Sequence, residues 1–95
     1  KRRFVLPDSL AFRVLIVDDD AISRRAVQVA LSRIKLEAVE CASAQDALGR
    51  CGRGGFDVIF LDVNMPGVNG YELCAQLRKL ELNQTTPVIF VTGQT

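Results

Sequence analysis

Short apolar runs punctuate this chain, and three of them end abruptly in polar residues. Val14-Leu15-Ile16-Val17 runs into Asp18-Asp19-Asp20, Val58-Ile59-Phe60-Leu61 into Asp62, and Val88-Ile89-Phe90-Val91 into Thr92. Continuous runs of this length, rich in β-branched and aromatic residues, predict strands buried on both faces, as in parallel sheets. Pro87 stands ahead of the last run, where a strand's first position tolerates it. Leu36 to Glu40 alternates apolar and charged residues and predicts a weaker edge strand. Between the runs the period lengthens. Ile22, Ala26, Ala30 and Ile34 recur every fourth residue, which predicts a helix that buries them and turns Arg24, Arg25, Gln28 and Arg33 elsewhere. Ser43-Ala44-Gln45-Asp46 has the form of a capping box opening a second helix, which Gly52 to Gly55 closes. Leu73, Leu77 and Leu80 line a third helix after Gly70. The order is then β-α-β-α-β-α-β. Parallel strands need crossovers, and right-handed crossovers put helices on both sheet faces, so the expected fold is α/β with a doubly wound parallel sheet.

Composition narrows the function classes. At 95 residues there is room for one small domain, with residues 1–11 as a tail or linker and the regular pattern from residue 12 to 95. The formal net charge is +1, and the basic residues cluster only at Lys1-Arg2-Arg3, so charge gives no reason to expect direct nucleic-acid or membrane binding. No apolar run approaches the roughly 20 residues of a membrane span, and no apolar segment follows the basic start as in a secretory leader. Cys41, Cys51 and Cys74 are scattered and odd in number, which suits a reducing, cytoplasmic setting better than a disulfide framework. Cys51 and Cys74 read as small packing groups. With no histidine, Ser-His-Asp, Cys-His and His-metal chemistry are excluded within this chain.

In an open α/β sheet, ligands bind beyond the C-terminal strand ends, where the strand order reverses. Asp18-Asp19-Asp20, Asp62 and Thr92 all fall at such ends. Neighbouring strands lie roughly 4.8 Å apart, so these carboxylates would crowd and repel unless a cation intervened. A hard divalent ion relieves the repulsion, and Mg²⁺ is the usual choice beside phosphate. A carboxylate is also a competent phosphoryl acceptor. Each residue has a plainer reading. Asp20 alone suits the N-cap of the helix from Ala21. Asp18 and Asp19 could be solvated loop residues, Asp62 a turn former and Thr92 an ordinary strand end. Arg24 and Arg25 read as a solvated helix face. Met65-Pro66-Gly67 and Asn69-Gly70 both read as turns. The coincidence of the acids on one sheet edge is stronger than any one of them.

Together, Val14 to Asp20, Asp57 to Leu61, Asp62-Val63-Asn64-Met65-Pro66-Gly67, Asn69-Gly70 and Pro87 to Gly93 resemble the receiver domains of response regulators and hybrid histidine kinases. The resemblance implies a flavodoxin-like receiver fold, seen here through its fourth strand. It implies a phosphoacceptor domain of a two-component phosphorelay rather than an enzyme. Asp62 would be the phosphoacceptor, and Mg²⁺ would be positioned by Asp18, Asp19, Asp62 and the backbone carbonyl of Asn64. Thr92 would be the switch hydroxyl, with the small Gly93 leaving room for the phosphoryl group. The implied partner is a sensor histidine kinase or its phosphotransfer domain.

The departures carry expectations of their own. Receivers have a fifth strand ending in a lysine that pairs with the phosphoryl group, and two further helices. Lys35 and Lys79 lie elsewhere, in or beside the first and third helices. The fold without its last strand and helices exposes an unpaired edge and apolar surface, inviting exchange of elements with a second copy. Arg3-Phe4-Val5-Leu6-Pro7 looks like the end of a kinase ATP-binding domain, so the parent is a hybrid kinase or a stand-alone regulator. Two other classes fit part of the pattern. One is a haloacid-dehalogenase-type phosphotransferase using Asp18; the other is an unphosphorylated receiver-like interaction module.

Overall fold

The computed structural model describes residues 12–91. Strand β1 (Val14–Val17) is followed by helix α1 (Ala21–Ser32), β2 (Ala38–Cys41), α2 (Ala44–Arg53) and β3 (Val58–Asp62). A two-residue-per-arm hairpin, β4 (Asn64–Met65) and β5 (Val68–Asn69), leads into α3 (Gly70–Leu77), and β6 (Val88–Val91) follows. The long strands form one parallel sheet in the order β2-β1-β3-β6. Chain order thus reverses at β1, which lies between β2 and β3, and this marks the switch point of a doubly wound sheet.

Strand alternation divides the core into two layers. Leu15, Val17, Ile59 and Leu61 point to one face, where Ala47 and Cys51 of α2 and Leu73 and Leu77 of α3 close over them. Each fully buried leucine or isoleucine there contributes about 1.5–3 kcal/mol. Val14 and Ile16 point to the other face, against Leu31 and Val27 of α1. Burial pushes the Cys41 thiol up to about 12 and the Cys51 thiol to about 11, so both stay protonated and act as packing groups.

Local chemistry fixes the helix ends. Ser43 Oγ accepts the Asp46 N–H at 3.1 Å, as the capping pattern predicts. Asp20 caps α1 by accepting the Ile22 N–H. Helix α1 ends in a Schellman motif: the Leu36 N–H reaches Leu31 O at 3.0 Å and the Lys35 N–H reaches Ser32 O at 3.1 Å. Lys35 takes the left-handed conformation the motif needs, at φ 61°.

Three expectations are corrected. The buried side of α1 is Val27 and Leu31, with Arg24 and Gln28 half-buried beside them, whereas Ile22 is 80% and Ile34 66% exposed. An every-fourth-residue row tracks one helical ridge, but a core stripe also needs the third-residue step. The edge strand begins at Ala38 rather than Leu36, because Leu36 is spent closing the Schellman motif. Asn69-Gly70 is a helix start rather than a turn: Asn69 Oδ1 accepts the Tyr71 N–H at 2.7 Å. Among the described residues, Ile89 and Phe90 of β6 are exposed, and no strand pairs with the outer edge of β6.

At the N-terminal end of the sheet, Asn83 ties loops together. Its Nδ2 donates to Cys51 O at 2.8 Å and Gly54 O at 3.1 Å, and its Oδ1 accepts the Phe56 N–H at 3.0 Å. Thr86 Oγ1 donates to Phe56 O at 2.9 Å, and Arg78 donates to the carbonyls of Asn83 and Thr86. All of this is buried or nearly so, and removing Asn83 strands backbone groups without partners. Asn83→Ala is expected to cost about 3 kcal/mol, read as a lower urea midpoint; an unchanged midpoint would contradict the staple.

Candidate metal centre

Pairing of β1 with β3 runs in register from Val14↔Val58 to Val17↔Leu61. The residues after the last pair are Asp18 and Asp62, so the acids are delivered side by side at the switch point. The Asp18 N–H donates to Cys41 O at 3.0 Å, which keeps the end of β1 tied to β2. Carboxylate oxygens of Asp18, Asp19 and Asp62 all lie within 4.8 Å of one another. Asp18 is 6% and Asp62 9% exposed, while Asp19 is open to solvent.

Short turns fix these carboxylates. Asp18 Oδ1 accepts the Asp20 N–H at 2.9 Å, and Asp62 Oδ1 accepts the Asn64 N–H at 3.1 Å. Burial raises the Asp18 carboxyl above the usual carboxylate range. The Asp20 N–H opposes that rise, and the charges of Asp62, Asp19 and Asp20 add to it. Asp20 is different. Its hydrogen bonds from the Ser23 hydroxyl and the Ile22 N–H hold it below the usual range, so it serves the helix rather than the cluster.

The donor set is all oxygen and strongly anionic. It suits a hard cation such as Mg²⁺ and lacks the nitrogen or sulfur that zinc sites use. The residues therefore fit the expected ion. Asn64 sits in β4 with its N–H on Asp62. Pro66 and Gly67 form the hairpin tip, with Gly67 at φ 77° as the third position of a type II turn requires. Thr92 and Gly93 lie outside the described residues.

Two residues beside the cluster have parts that the pattern did not assign to them. Gly70 packs its backbone on the end of β3: its N–H donates to Val63 O at 2.8 Å, and a Cβ there would collide with Asp62 O and stand 2.8 Å from Val63 Cα. Arg24, expected in solvent, instead donates from Nη1 to Asp18 O at 2.6 Å and from Nε to Glu40 Oε1 at 2.9 Å. Only a weak signal for the second was present: Glu40 is the one charge in the strand Ala38-Val39-Glu40-Cys41, but it is solvent-exposed and could have stood alone.

Because folding holds Asp18 protonated to a higher pH, its contribution to stability is largest below the ordinary carboxylate pKa. That contribution is lost as pH rises through the raised folded value. In chelator, Asp18→Asn keeps an acceptor for the Asp20 N–H without the charge. It is expected to raise the urea midpoint at neutral pH and flatten its decline between acid and neutral pH. A midpoint at neutral pH no higher than wild type would show that Asp18 carries no such penalty.

Comparison with known proteins agrees with the fold. Residues 14–95 match the family model of the response regulator receiver domain. The transcriptional regulatory protein ResD of Bacillus subtilis is 33% identical over 82 residues, covering 86% of this chain and 33% of ResD, so the chain spans about a third of that relative. The receiver domain of the histidine kinase CKI1 from Arabidopsis thaliana, solved complexed with Mg²⁺, superposes with a TM-score of 0.77 at 34% identity, covering 87% of this chain and 68% of that one. The response regulator TrrA of Thermotoga maritima, solved in complex with the histidine kinase ThkA, gives a TM-score of 0.77 at 27% identity, covering 90% of this chain and 72% of that one. With its parallel sheet, its switch-point acids and the family match over most of its length, the chain belongs to the response regulator receiver domain family.

Proposed function

We propose that this domain accepts a phosphoryl group on Asp62 from the phosphohistidine of a sensor histidine kinase or its phosphotransfer domain. The observation that carries the reading is the convergence of Asp18, Asp19 and Asp62 oxygens within 4.8 Å at the switch point. No histidine lies within these 95 residues to serve as donor, and ThkA bound to TrrA offers a precedent for a kinase partner in a relative.

In the proposed step a carboxylate oxygen of Asp62 attacks phosphorus in line. The P–N bond breaks, its electron pair returns to the partner's imidazole, and an acyl phosphate remains on Asp62. The Asn64 N–H holds Asp62 Oδ1 and so orients the attacking carboxylate. Asp18, Asp19, Asp62 and the Asn64 carbonyl would hold Mg²⁺. When bound, the ion neutralises charge on the carboxylates and the phosphoryl oxygens. Thr92 would read the modification by hydrogen-bonding a phosphoryl oxygen, biasing a two-state equilibrium. The transfer modifies the domain itself, so the role is that of a signalling switch rather than a turnover enzyme. None of the helices among the described residues is long and apolar enough to cross a membrane.

The test is the intact mass of the full chain after treatment with acetyl phosphate and Mg²⁺. Wild type is expected to gain one phosphoryl group and Asp62→Asn none, with chelator abolishing the gain. A gain that survives the substitution would move the acceptor to Asp18 or Asp19.

A further inference from the structure

Helix α1 reaches the acid cluster through a chain of side chains that starts at the far end of the edge strand. Gln28 docks on Ala38 like a neighbouring strand: its Oε1 accepts the Ala38 N–H at 3.0 Å and its Nε2 donates to Ala38 O at 2.8 Å. The same Nε2 donates to Glu40 Oε2 at 3.0 Å, and Glu40 Oε1 accepts Arg24 Nε at 2.9 Å. Arg24 then spends Nη1 on the carbonyl of Asp18, at 2.6 Å. Its side chain is only 17% exposed, so this is a seated guanidinium rather than a surface charge in search of a partner. These bonds from Gln28 and Arg24 hold the Glu40 carboxylate below the usual range.

The guanidinium bonds to Glu40 and to a peptide oxygen rather than to the carboxylates of the cluster. It grips the peptide oxygen between Asp18 and Asp19, so the plane of that peptide, and with it the launch angle of the Asp19 side chain, is set from α1. The planar fork suits this use, because one face engages a carboxylate while another nitrogen serves a carbonyl. We propose that Arg24, held in place by Glu40 and Gln28, is a positioning residue that presets the Asp18–Asp19 peptide for a divalent cation. The proposal rests on the metal reading of the acid cluster.

The sign of the effect makes the idea testable. If Arg24 acted only as a nearby positive charge, neutralising it would tighten cation binding, since it would no longer repel the ion. If it positions the peptide, neutralising it weakens binding. Mn²⁺ is a suitable probe, being a hard cation whose free form is counted directly by electron paramagnetic resonance. On the full chain, Arg24→Gln is expected to bind Mn²⁺ about tenfold more weakly, the scale typical of lost outer-shell support. Arg24→Lys, which keeps the charge and one donor, is expected to fall between Gln and wild type. Affinity is measured on the folded protein, with circular dichroism and urea titration as controls, so a loss of stability alone does not imitate the result. Mn²⁺ binding by Arg24→Gln equal to or tighter than wild type overturns the proposal. If that variant does not fold, Arg24→Lys decides: weaker binding supports positioning and wild-type binding overturns it. Asp19→Asn in parallel separates the two layers of the argument, because wild-type affinity there would remove the metal site itself.

Discussion

Parallel pairing of β1 with β3 is the constraint on which the rest of this domain depends. Backbone hydrogen bonds hold the two strands in register up to Val17 and Leu61, and the next residue on each is an aspartate. Two nearly buried carboxylates, with a third beside them, are unfavourable neighbours. The sheet nevertheless imposes the arrangement, because slipping β1 by one residue would turn Leu15 and Val17, and slipping β3 would turn Ile59 and Leu61, out of the core they share with α2 and α3. Hydrophobic burial thereby maintains an electrostatic tension that a cation or a proton can relieve.

The two ends of the sheet solve different problems. At the acid end, charges are left partly unsatisfied, and neighbouring groups fix positions rather than neutralise: Asn64 N–H on Asp62, Asp20 N–H on Asp18, Arg24 on the Asp18 carbonyl. At the other end, Asn83, Thr86 and Arg78 satisfy one another and the loop backbone. The polar staple thus lies at the end where no chemistry is proposed, and the close carboxylates lie at the other.

Much of this was legible in the chain itself. The apolar runs at 14–17, 58–61 and 88–91 announce strands buried on both faces, and their polar ends announce the site. The caps at Asp20 and Ser43 follow from short-range hydrogen bonding. What escaped depends on tertiary geometry. The inward face of α1 is set by how the helix lies across β1 and β2, and a period-four reading chose the wrong ridge. Arg24 looked like solvent-facing charge because its partners, a carbonyl six residues back and a carboxylate sixteen residues on, meet only after β2 is laid beside β1. Gly70 looked like a turn glycine, yet its backbone is helical and its lack of a side chain serves a close contact. The hairpin of β4 and β5 was foreshadowed only by its Pro66-Gly67 tip.

That contact at Gly70 has a mechanical consequence. With Asp62 O and Val63 Cα pressed against the first residue of α3, the joint between strand and helix has no clearance. A displacement of the β3 tip is not absorbed by a compressible side chain; it becomes a push on the helix. Helix α3 is thus geared to the strand that ends in Asp62. Tyr71, the next residue, packs on Phe90 of β6 as a tilted ring pair with centroids 4.6 Å apart, so the start of the helix is also in contact with the outer strand.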